Sequence, residues 1–230
     1  DLIKVMTGIR RSGKSVMLEL IKQELIDSGV SSSQFISINF EDMRYTHLQT
    51  AKALYDEISS RSAWIDGKIY LFFDEIQEVK DWEKCINSFR VALDCDIYIT
   101  GSNAKLLSGE LATYLAGRYV EFIVYPFSFA EFLELYHSVF PEETVQKSFQ
   151  QYILYGGMPY LANIRYADEP SRQYLQDLFN SVQLKDIVKR NKIRDVDLLE
   201  RIMAYVMANV GNTFSASSLA KFLKSEQRTV

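Results

Sequence analysis

Eight residues near the start of the chain, Gly8-Ile9-Arg10-Arg11-Ser12-Gly13-Lys14-Ser15, follow the spacing G-x-x-x-x-G-K-[ST]. This pattern is typical of a loop that wraps phosphate groups with its backbone N–H groups. Glycine is needed in such a loop because it lets the main chain approach a ligand closely. We expect the Lys14 ammonium to reach the outer phosphates of a nucleotide and the Ser15 hydroxyl to bind Mg²⁺. The loop therefore predicts a site for ATP and magnesium.

The segments on both sides of this loop support the same interpretation. Ile3–Thr7 is a short apolar strand, and the stretch from Lys14 to Ser28 carries apolar residues at helical spacing. A helix that begins at the loop adds positive potential where phosphates bind. The two loop arginines have two candidate roles: one could contact phosphate, or both could pair with surface acids such as Glu41.

A second chemical pattern is the acidic pair Asp74-Glu75, which follows the apolar strand Lys68–Phe73. Such a strand is typical of a parallel sheet buried between helices, and ligands bind at the carboxyl edge of such a sheet. We expect Asp74 to hold Mg²⁺ and Glu75 to orient or deprotonate the attacking water. Two acids can also simply end a strand in solvent, but the phosphate loop upstream favours the functional interpretation. The predicted nucleotide-binding residues are Gly8, Arg10, Arg11, Ser12, Gly13, Lys14, Ser15, Val16 and Asp74, with Ser15 and Asp74 as the metal ligands.

Three side chains farther along the chain are candidates for completing hydrolysis. Ser102 and Asn103 follow the predicted strand that ends at Gly101, and either could bond the attacking water or the γ-phosphate; Asn103 is slightly favoured. An ordinary turn is the alternative, because Gly, Ser and Asn all form turns. Arg118 could reach a γ-phosphate in its own chain or in a neighbouring chain. A solvated surface arginine is nearly as good an explanation of Arg118.

The first two-thirds of the chain alternate apolar strand-like runs with amphipathic helical stretches, which predicts a doubly wound parallel sheet. The predicted strands are Ile3–Thr7, Gln34–Phe40, Lys68–Phe73, Asp96–Gly101 and Tyr119–Val124. The predicted helices between them cover Lys14–Ser28, Leu48–Ile58 and a stretch that Asp81 caps.

Only helices are predicted after Pro126, and a capping box at Ser128–Glu131 opens the first of them. They cover Phe129–Phe140, Glu142–Leu154, Pro170–Lys189, Asp195–Asn209 and a short stretch near Ser217–Leu223. The predicted domains are residues 1–126 as a core, 127–194 as a helical lid and 195–230 as a partial winged helix or helix-turn-helix. Both ends of the chain read as cut, so we expect it to be part of a longer protein.

Composition narrows the functional classes. The 230 residues carry a net charge of -4, whereas proteins that bind nucleic acid over a broad surface are usually basic. The two cysteines fit neither a metal site nor a disulfide framework. No apolar run is long enough to span a membrane and no secretory signal opens the sequence, so we expect a cytoplasmic protein without membrane contact.

The C-terminal region leaves room for a macromolecular partner. Five basic residues cluster at the end of a predicted helix: Lys185, Lys189, Arg190, Lys192 and Arg194. They could contact a nucleic-acid backbone, although cations are favoured at helix C-termini in any case. The segment Asn209–Leu223 is typical of the front half of a helix-turn-helix. Structural use of this region and DNA recognition are equally open.

Together these motifs resemble the AAA-type P-loop ATPases of bacteria and archaea that carry a C-terminal helical and winged-helix region. The segments that carry the resemblance are Gly8–Ser15, Phe73–Gln77, Thr100–Asn103, Leu115–Arg118, Pro126–Phe132, Gly156–Pro159 and Lys185–Ile187. The resemblance implies an α/β core with five parallel strands flanked by helices, an all-α lid and the start of a winged helix. It supports the roles given to Lys14, Ser15, Asp74 and Glu75. The sequence departs from the common pattern at Ile9, where relatives often have proline.

Three functions are consistent with these residues. The first is an ATPase that hydrolyses ATP to ADP as a conformational switch, as a homo-oligomer or with a protein partner at its C-terminal region. The second is a nucleotide-sensing regulator that binds DNA through the winged helix. The third, a small-molecule kinase, ranks last because the Asp74-Glu75 pair favours water as the phosphate acceptor.

Overall fold

The computed structural model describes residues 2–101, 115–182, 187–188, 193–213 and 215–223 of the chain. They fall into two compact units, Asp1–Leu178 and Phe179–Val230. The domain boundaries predicted after residues 126 and 194 separate regions of different proposed function, whereas these two units separate groups of residues that contact each other. The predicted boundaries therefore stay predictions. No helix in the described ranges combines the length and the apolar character that a membrane span requires.

The first unit is built on one sheet of five strands. In chain order the strands are β1 (Ile3–Thr7), β2 (Phe35–Asn39), β3 (Ile69–Asp74), β4 (Cys95–Thr100) and β5 (Tyr119–Ile123). Their order across the sheet is β2-β3-β4-β1-β5, and every neighbouring pair is parallel. The prediction of a five-stranded parallel sheet flanked by helices is therefore confirmed.

The strand order decides which strand ends meet. β4 lies between β1, which leads into the phosphate loop, and β3, which leads into the acidic pair. In the register, Met6 faces Thr100 and Asn39 faces Asp74. Because all five strands are parallel, these residues lie along the same carboxyl edge of the sheet.

Helices follow the strands and cover both faces of the sheet. In chain order they are α1 (Lys14–Asp27), α2 (Ala51–Ser62), α3 (Trp82–Ala92), α4 (Phe129–Val139), α5 (Val145–Tyr155), α6 (Asp168–Val182), α7 (Val196–Ala208) and α8 (Ala216–Leu223). Short 3₁₀ turns lie at Ser32–Gln34, Met43–Leu48, Ile76–Glu78 and Pro159–Ala162. The predicted helix that reaches Lys189 extends beyond the described part of α6.

The main core lies between the sheet and the α2–α3 layer. Phe73 of β3 and Phe89 of α3 are fully buried there, and the Phe89 ring stacks on Tyr55 of α2 at 5.7 Å. On the opposite face, Leu18 of α1 packs with residues of the sheet such as Phe72, whose ring stacks on that of Tyr98 at 4.7 Å. Burial of these large apolar side chains supplies the free energy that holds the strand ends in place.

Two predicted helix starts have different outcomes. At α4 the capping box is confirmed: the Glu131 N–H donates to the Ser128 hydroxyl at 3.4 Å, and the Ser128 N–H donates to the Glu131 carboxylate at 2.8 Å. Asp81 occupies the N-cap position of α3, as predicted, but its side chain makes no capping bond. The residue has a left-handed conformation with φ 57°, and its carboxylate accepts from Lys84 Nζ at 2.9 Å instead.

The second unit contains α7 and α8 among its described residues. The rings of Tyr205 and Phe222 lie 4.8 Å apart, and Arg201 donates to the Leu223 carbonyl. Leu219, Ala220 and Leu223 are buried. Two packed helices agree with the front of a helix-turn-helix, and the complete winged helix stays a prediction.

The capping box gives a direct test of this description. Replacing Ser128 with alanine removes a side-chain acceptor for an N–H group of the first turn of α4, and we expect it to lower the free energy of unfolding by about 1 kcal/mol. Ser138→Ala is the matched control, because Ser138 bonds the Leu135 carbonyl on the exposed side of the same helix. Its effect should stay within about 0.5 kcal/mol in urea unfolding. Equal losses in both variants would contradict the capping role.

Candidate functional site

The phosphate loop has a backbone that only glycine fits at its first position. Gly8 has φ 149°, and a Cβ there would lie 2.2 Å from the Val124 carbonyl oxygen. This close approach is fixed by the sheet, because the Val124 N–H donates to the Thr7 carbonyl at 2.7 Å. Gly13, with φ 103°, is the N-cap residue that immediately precedes α1. Both glycines of the motif therefore occupy left-handed positions that other residues adopt only with strain.

Lys14 and Ser12 are the buried polar residues of the loop. The Lys14 ammonium donates to the carbonyl oxygens of Gly8 at 3.2 Å and Ile9 at 2.9 Å, so it is held against its own loop. The Ser12 hydroxyl is buried without a hydrogen-bond partner among the described residues. A buried hydroxyl of this kind is satisfied when a ligand oxygen enters the loop. Ser15 and Val16, in the first turn of α1, are exposed.

The two loop arginines differ in their surroundings. Arg11 has φ 62°, and its guanidinium lies 5.4 Å from the centre of the Tyr174 ring in α6. This arrangement is a cation–π contact between the phosphate loop and the helical region. Arg10 is half-buried. A pairing of these arginines with Glu41 stays a prediction.

The carboxylate of Asp74 is buried at the end of β3 and is held from both sides. Asn39, at the tip of β2, donates from Nδ2 to Asp74 Oδ2 at 2.9 Å. Thr100, at the tip of β4, donates its hydroxyl proton to Asp74 Oδ1. A carboxylate that is only 6% exposed requires such donors, because burying an unpaired charge is costly.

Glu75 follows in a left-handed conformation with φ 56°, which is unusual for a residue with a side chain. Its N–H donates to Thr100 Oγ1 at 3.1 Å, and Gln77 donates to its carboxylate. Burial is the main reason that the pKa of Glu75 is raised above its ordinary value; the Gln77 hydrogen bond and the Lys14 charge oppose this shift. A raised pKa makes a carboxylate a better acceptor for a proton from water.

Glu41 belongs to the surroundings of the acidic pair. Its negative charge, with that of Asp74, adds to the rise in the pKa of Glu75. Glu41 follows β2 at the same edge of the sheet, in the loop where Phe40 donates its N–H to the Asp74 carbonyl at 3.0 Å. This exposed loop acid therefore influences the site electrostatically.

Sequence reasoning missed Thr100 and Asn39 as partners of the acids. Each is the polar residue that ends an otherwise mostly apolar strand, and that position was the available signal. Their contact with Asp74 depends on the pairing of strands far apart in the sequence. The predicted Ser102 and Asn103 lie outside the described residues, as do Lys185, Lys189, Arg190 and Lys192 of the basic cluster. Arg194 is exposed.

Arg118 lies at the opposite edge of the sheet from the phosphate loop. Its carbonyl accepts the Ile3 N–H at 2.9 Å, at the start of β1, and its guanidinium donates to Asn87 of α3 at 3.0 Å. The four residue steps from Ile3 to Thr7 span about 13 Å of extended strand. The structure therefore does not bring Arg118 together with Lys14, Asp74 and Glu75 of its own chain.

A groove of about 960 Å³ opens beside the loop, and its lining is mostly apolar. Ser12 and Gly13 form its loop end, Val16, Met17 and Leu20 of α1 form one wall, and the segment 122–128 forms another. The second wall is firmly held: Tyr152 donates to the Phe127 carbonyl at 3.1 Å, and the Phe127 N–H donates to Gly157 at 2.8 Å. A Cβ at Gly157 would lie 2.0 Å from the Phe127 carbonyl oxygen, which explains a glycine in this turn.

The parallel sheet with a glycine-rich loop between β1 and α1 defines a P-loop domain of the α/β class, which binds nucleotides. Residues 1–133 match the family described as AAA domain, so the chain belongs to that family. Residues 146–230 match a domain of unknown function.

Two uncharacterized proteins are related to the chain over nearly its whole length. One, from Haemophilus influenzae, is 40% identical over 228 residues, which cover 99% of this chain and 56% of that protein. The other, MJ1544 from Methanocaldococcus jannaschii, is 30% identical over 230 residues, which cover 96% of this chain and 50% of that protein. The chain thus spans about half the length of the curated relatives it matches.

Solved structures of low similarity include a variant of Thermotoga maritima RuvB, which is 13% identical with a TM-score of 0.47 over 100% of this chain and 76% of that chain. AMPPCP-bound DnaA from Aquifex aeolicus is 14% identical with a TM-score of 0.44 over 100% and 80% of the two chains. ORC1 of Aeropyrum pernix, in complex with DNA, is 11% identical with a TM-score of 0.45 over 97% and 71%. Similarity at this level transfers neither ligand nor partner.

Because the loop packs tightly against Val124, we expect alanine substitutions at two glycines to differ strongly in their effect on the free energy of unfolding. In Gly8→Ala the new methyl group meets a backbone oxygen, and we expect a loss of about 3 kcal/mol or more in the free energy of unfolding. Gly29→Ala is the matched control, since Gly29 also has a left-handed φ of 102° but no described atom within 4 Å of the added Cβ. Backbone strain alone should cost it about 1 to 2 kcal/mol. Equal losses in urea unfolding would show that the close approach at Gly8 is unimportant.

Proposed function

We propose that the chain binds ATP with Mg²⁺ and hydrolyses the ATP to ADP and phosphate. The observation that carries this proposal is the meeting of two polar clusters at one edge of the sheet. One is the phosphate loop with its buried Lys14, and the other is the pair Asp74 and Glu75 held at the end of β3. The charge of Lys14 acts on the Glu75 carboxyl, so the two clusters lie within electrostatic reach of each other.

Each residue has a role that its position supports. The backbone N–H groups of the loop and the N-terminus of α1 bind the phosphates, and Lys14 moves from its loop carbonyls to the β- and γ-phosphates. Ser15 and Asp74 hold Mg²⁺, which neutralises charge on the phosphates when bound. Glu75 orients the attacking water and accepts its proton, which its raised pKa favours. Asn103 or Ser102, which follow β4 in the sequence, completes the site.

The apolar groove is suited to the nucleoside end of the ligand. It begins at Ser12 and Gly13, where the phosphates bind, and continues along Val16 and Met17. Purine bases bind in apolar pockets beside a few polar groups, and this groove is the matching feature next to the loop. Val16 therefore acts through its side chain in the groove.

Residues 127–194 act in this proposal as a lid that responds to the nucleotide. The supporting contact is Arg11 over the Tyr174 ring, because it joins the phosphate loop to α6. Phosphates that enter the loop compete with the ring for the guanidinium. Binding and hydrolysis thus change the contact between loop and lid, which is the basis of a conformational switch.

Arg118 acts on the γ-phosphate of a neighbouring copy rather than of its own chain. Its position at the amino edge of the sheet supports this proposal, because its own phosphate loop lies at the other edge. Hydrolysis then requires a homo-oligomer in which the amino edge of one core faces the carboxyl edge of the next. The DNA-binding alternative rests on the basic cluster, of which only Arg194 lies within the described residues, and on the predicted winged helix of residues 195–230.

Replacing the proposed base tests hydrolysis separately from binding. We expect Glu75→Gln in the full chain to bind ATP as the wild type does and to lose about 100-fold or more in single-turnover hydrolysis. Glu78→Gln is the matched control, because Glu78 is an exposed acid three residues farther along the chain. It should hydrolyse ATP at the wild-type rate. If the wild type binds ATP but is no faster than Glu75→Gln, the chain is not an ATPase by itself.

Mixing two inactive variants tests the placement of Arg118. Lys14→Ala removes phosphate binding and Arg118→Ala removes the arginine, so each should lose at least about 100-fold in steady-state hydrolysis alone. Their mixture contains interfaces that join an intact loop to an intact Arg118, so activity should return. Arg90→Ala is the control, because Arg90 bonds the same Asn87 and should be active alone. A mixture as inactive as its two parts would contradict action between copies.

A further inference from the structure

Thr100 contacts both acids of the pair with a single hydroxyl group. The Glu75 N–H donates to Thr100 Oγ1 at 3.1 Å, and the same oxygen contacts Asp74 Oδ1. A backbone N–H can only donate, so Oγ1 is the acceptor in the first bond. A threonine hydroxyl has one proton, and that proton is therefore directed to the Asp74 carboxylate.

Burial makes this arrangement hard to replace. Thr100 is 0% exposed and Asp74 is 6% exposed, so bulk water cannot take over the hydroxyl's two hydrogen bonds. Loss of the hydroxyl leaves a backbone donor and a carboxylate oxygen each short of a partner. Such groups are costly when buried without a partner.

The bond to Glu75 also supports a strained backbone. A residue with a side chain at φ 56° persists only where its neighbours determine its conformation. Three contacts do so: Thr100 holds the N–H, Gln77 holds the carboxylate, and the following Ile76 is fully buried. Of these, only Thr100 also holds Asp74.

We infer that Thr100 is a positioning residue that fixes the spacing between the magnesium-binding carboxylate of Asp74 and the water-activating carboxylate of Glu75. This inference rests on the proposed ATPase function and assigns a role to the tip of β4. The hydroxyl acts only through the two acids and does not touch the reacting atoms. An error of about 1 Å in such a spacing can lower a rate about 100-fold.

Three variants of the full chain test this role. Thr100→Val has nearly the same shape and lacks the hydroxyl, whereas Thr100→Ser keeps it. Ser148→Ala is the matched control, because it removes another fully buried hydroxyl, one that donates to the Thr144 carbonyl in α5. For each protein we would measure ATP affinity, thermal unfolding and the single-turnover rate of hydrolysis at saturating ATP.

We expect Thr100→Val to bind ATP within about threefold of the wild type and to hydrolyse it about 10- to 100-fold more slowly. Thr100→Ser should stay within about threefold of the wild type in both measurements. Ser148→Ala should lose stability and keep its rate per folded molecule. Rescue by serine separates the role of the hydroxyl from the role of side-chain volume.

The split between affinity and rate separates positioning from stability. A purely structural loss lowers thermal stability and ATP binding together, whereas loss of positioning lowers the rate per folded molecule at nearly unchanged ATP affinity.

The outcomes separate this inference from the proposed function. A wild type that hydrolyses ATP, with a valine variant of equal rate, overturns the role of Thr100 and leaves the ATPase assignment intact. A wild type that binds ATP without hydrolysing it overturns both. If the valine variant does not fold, Thr100→Cys has a similar size and a weaker donor, and the same two measurements decide.

Discussion

The structure depends on keeping two oppositely charged groups buried at the carboxyl edge of the sheet. The residues Lys14 and Asp74 are each at most 6% exposed, and an unpaired charge at such depth costs several kcal/mol. Carbonyls of the loop satisfy the ammonium, and the tips of β2 and β4 satisfy the carboxylate. These donors and acceptors reach their targets only in one strand register. The register therefore keeps the buried charges paired, and the need to pair them favours that register.

The same edge also contains residues with a strained backbone. Gly8, Arg11, Gly13 and Glu75 all have positive φ, and two of them carry side chains that disfavour it. The apolar core offsets this cost, since Phe73 immediately precedes the acidic pair and is fully buried against Phe89. A rigid, strained edge on a well-packed sheet is what pre-organised phosphate binding requires, because loop and acids do not have to be ordered by the ligand.

Residue spacing and hydrophobic periodicity in the sequence predicted much of this arrangement. The contacts that they did not predict depend on the pairing of strands far apart in the sequence. The phosphate loop and the strands could be predicted because spacing and periodicity are local properties. Thr100 and Asn39 could not, because they lie 26 and 35 residues from Asp74 and meet it through strand register. Asp81 makes no capping bond because Lys84 competes for its carboxylate. Arg118 lies far from the loop because of strand direction. In a parallel sheet, a residue that precedes one strand and a residue that follows another strand lie at opposite edges of the sheet.

The contact between Arg11 and Tyr174 sets a limit on the proposed nucleotide-driven switch. A ligand shifts a conformational equilibrium only by the difference in its interaction with the two states. A cation–π contact that is partly exposed is worth about 0.5 to 1 kcal/mol, which corresponds to a factor of about two to five in an equilibrium constant. Competition for this one arginine can therefore bias the lid but cannot close it fully. A complete switch requires further contacts that change with the nucleotide, and an arginine supplied by a neighbouring copy is the kind of contact that adds the missing free energy.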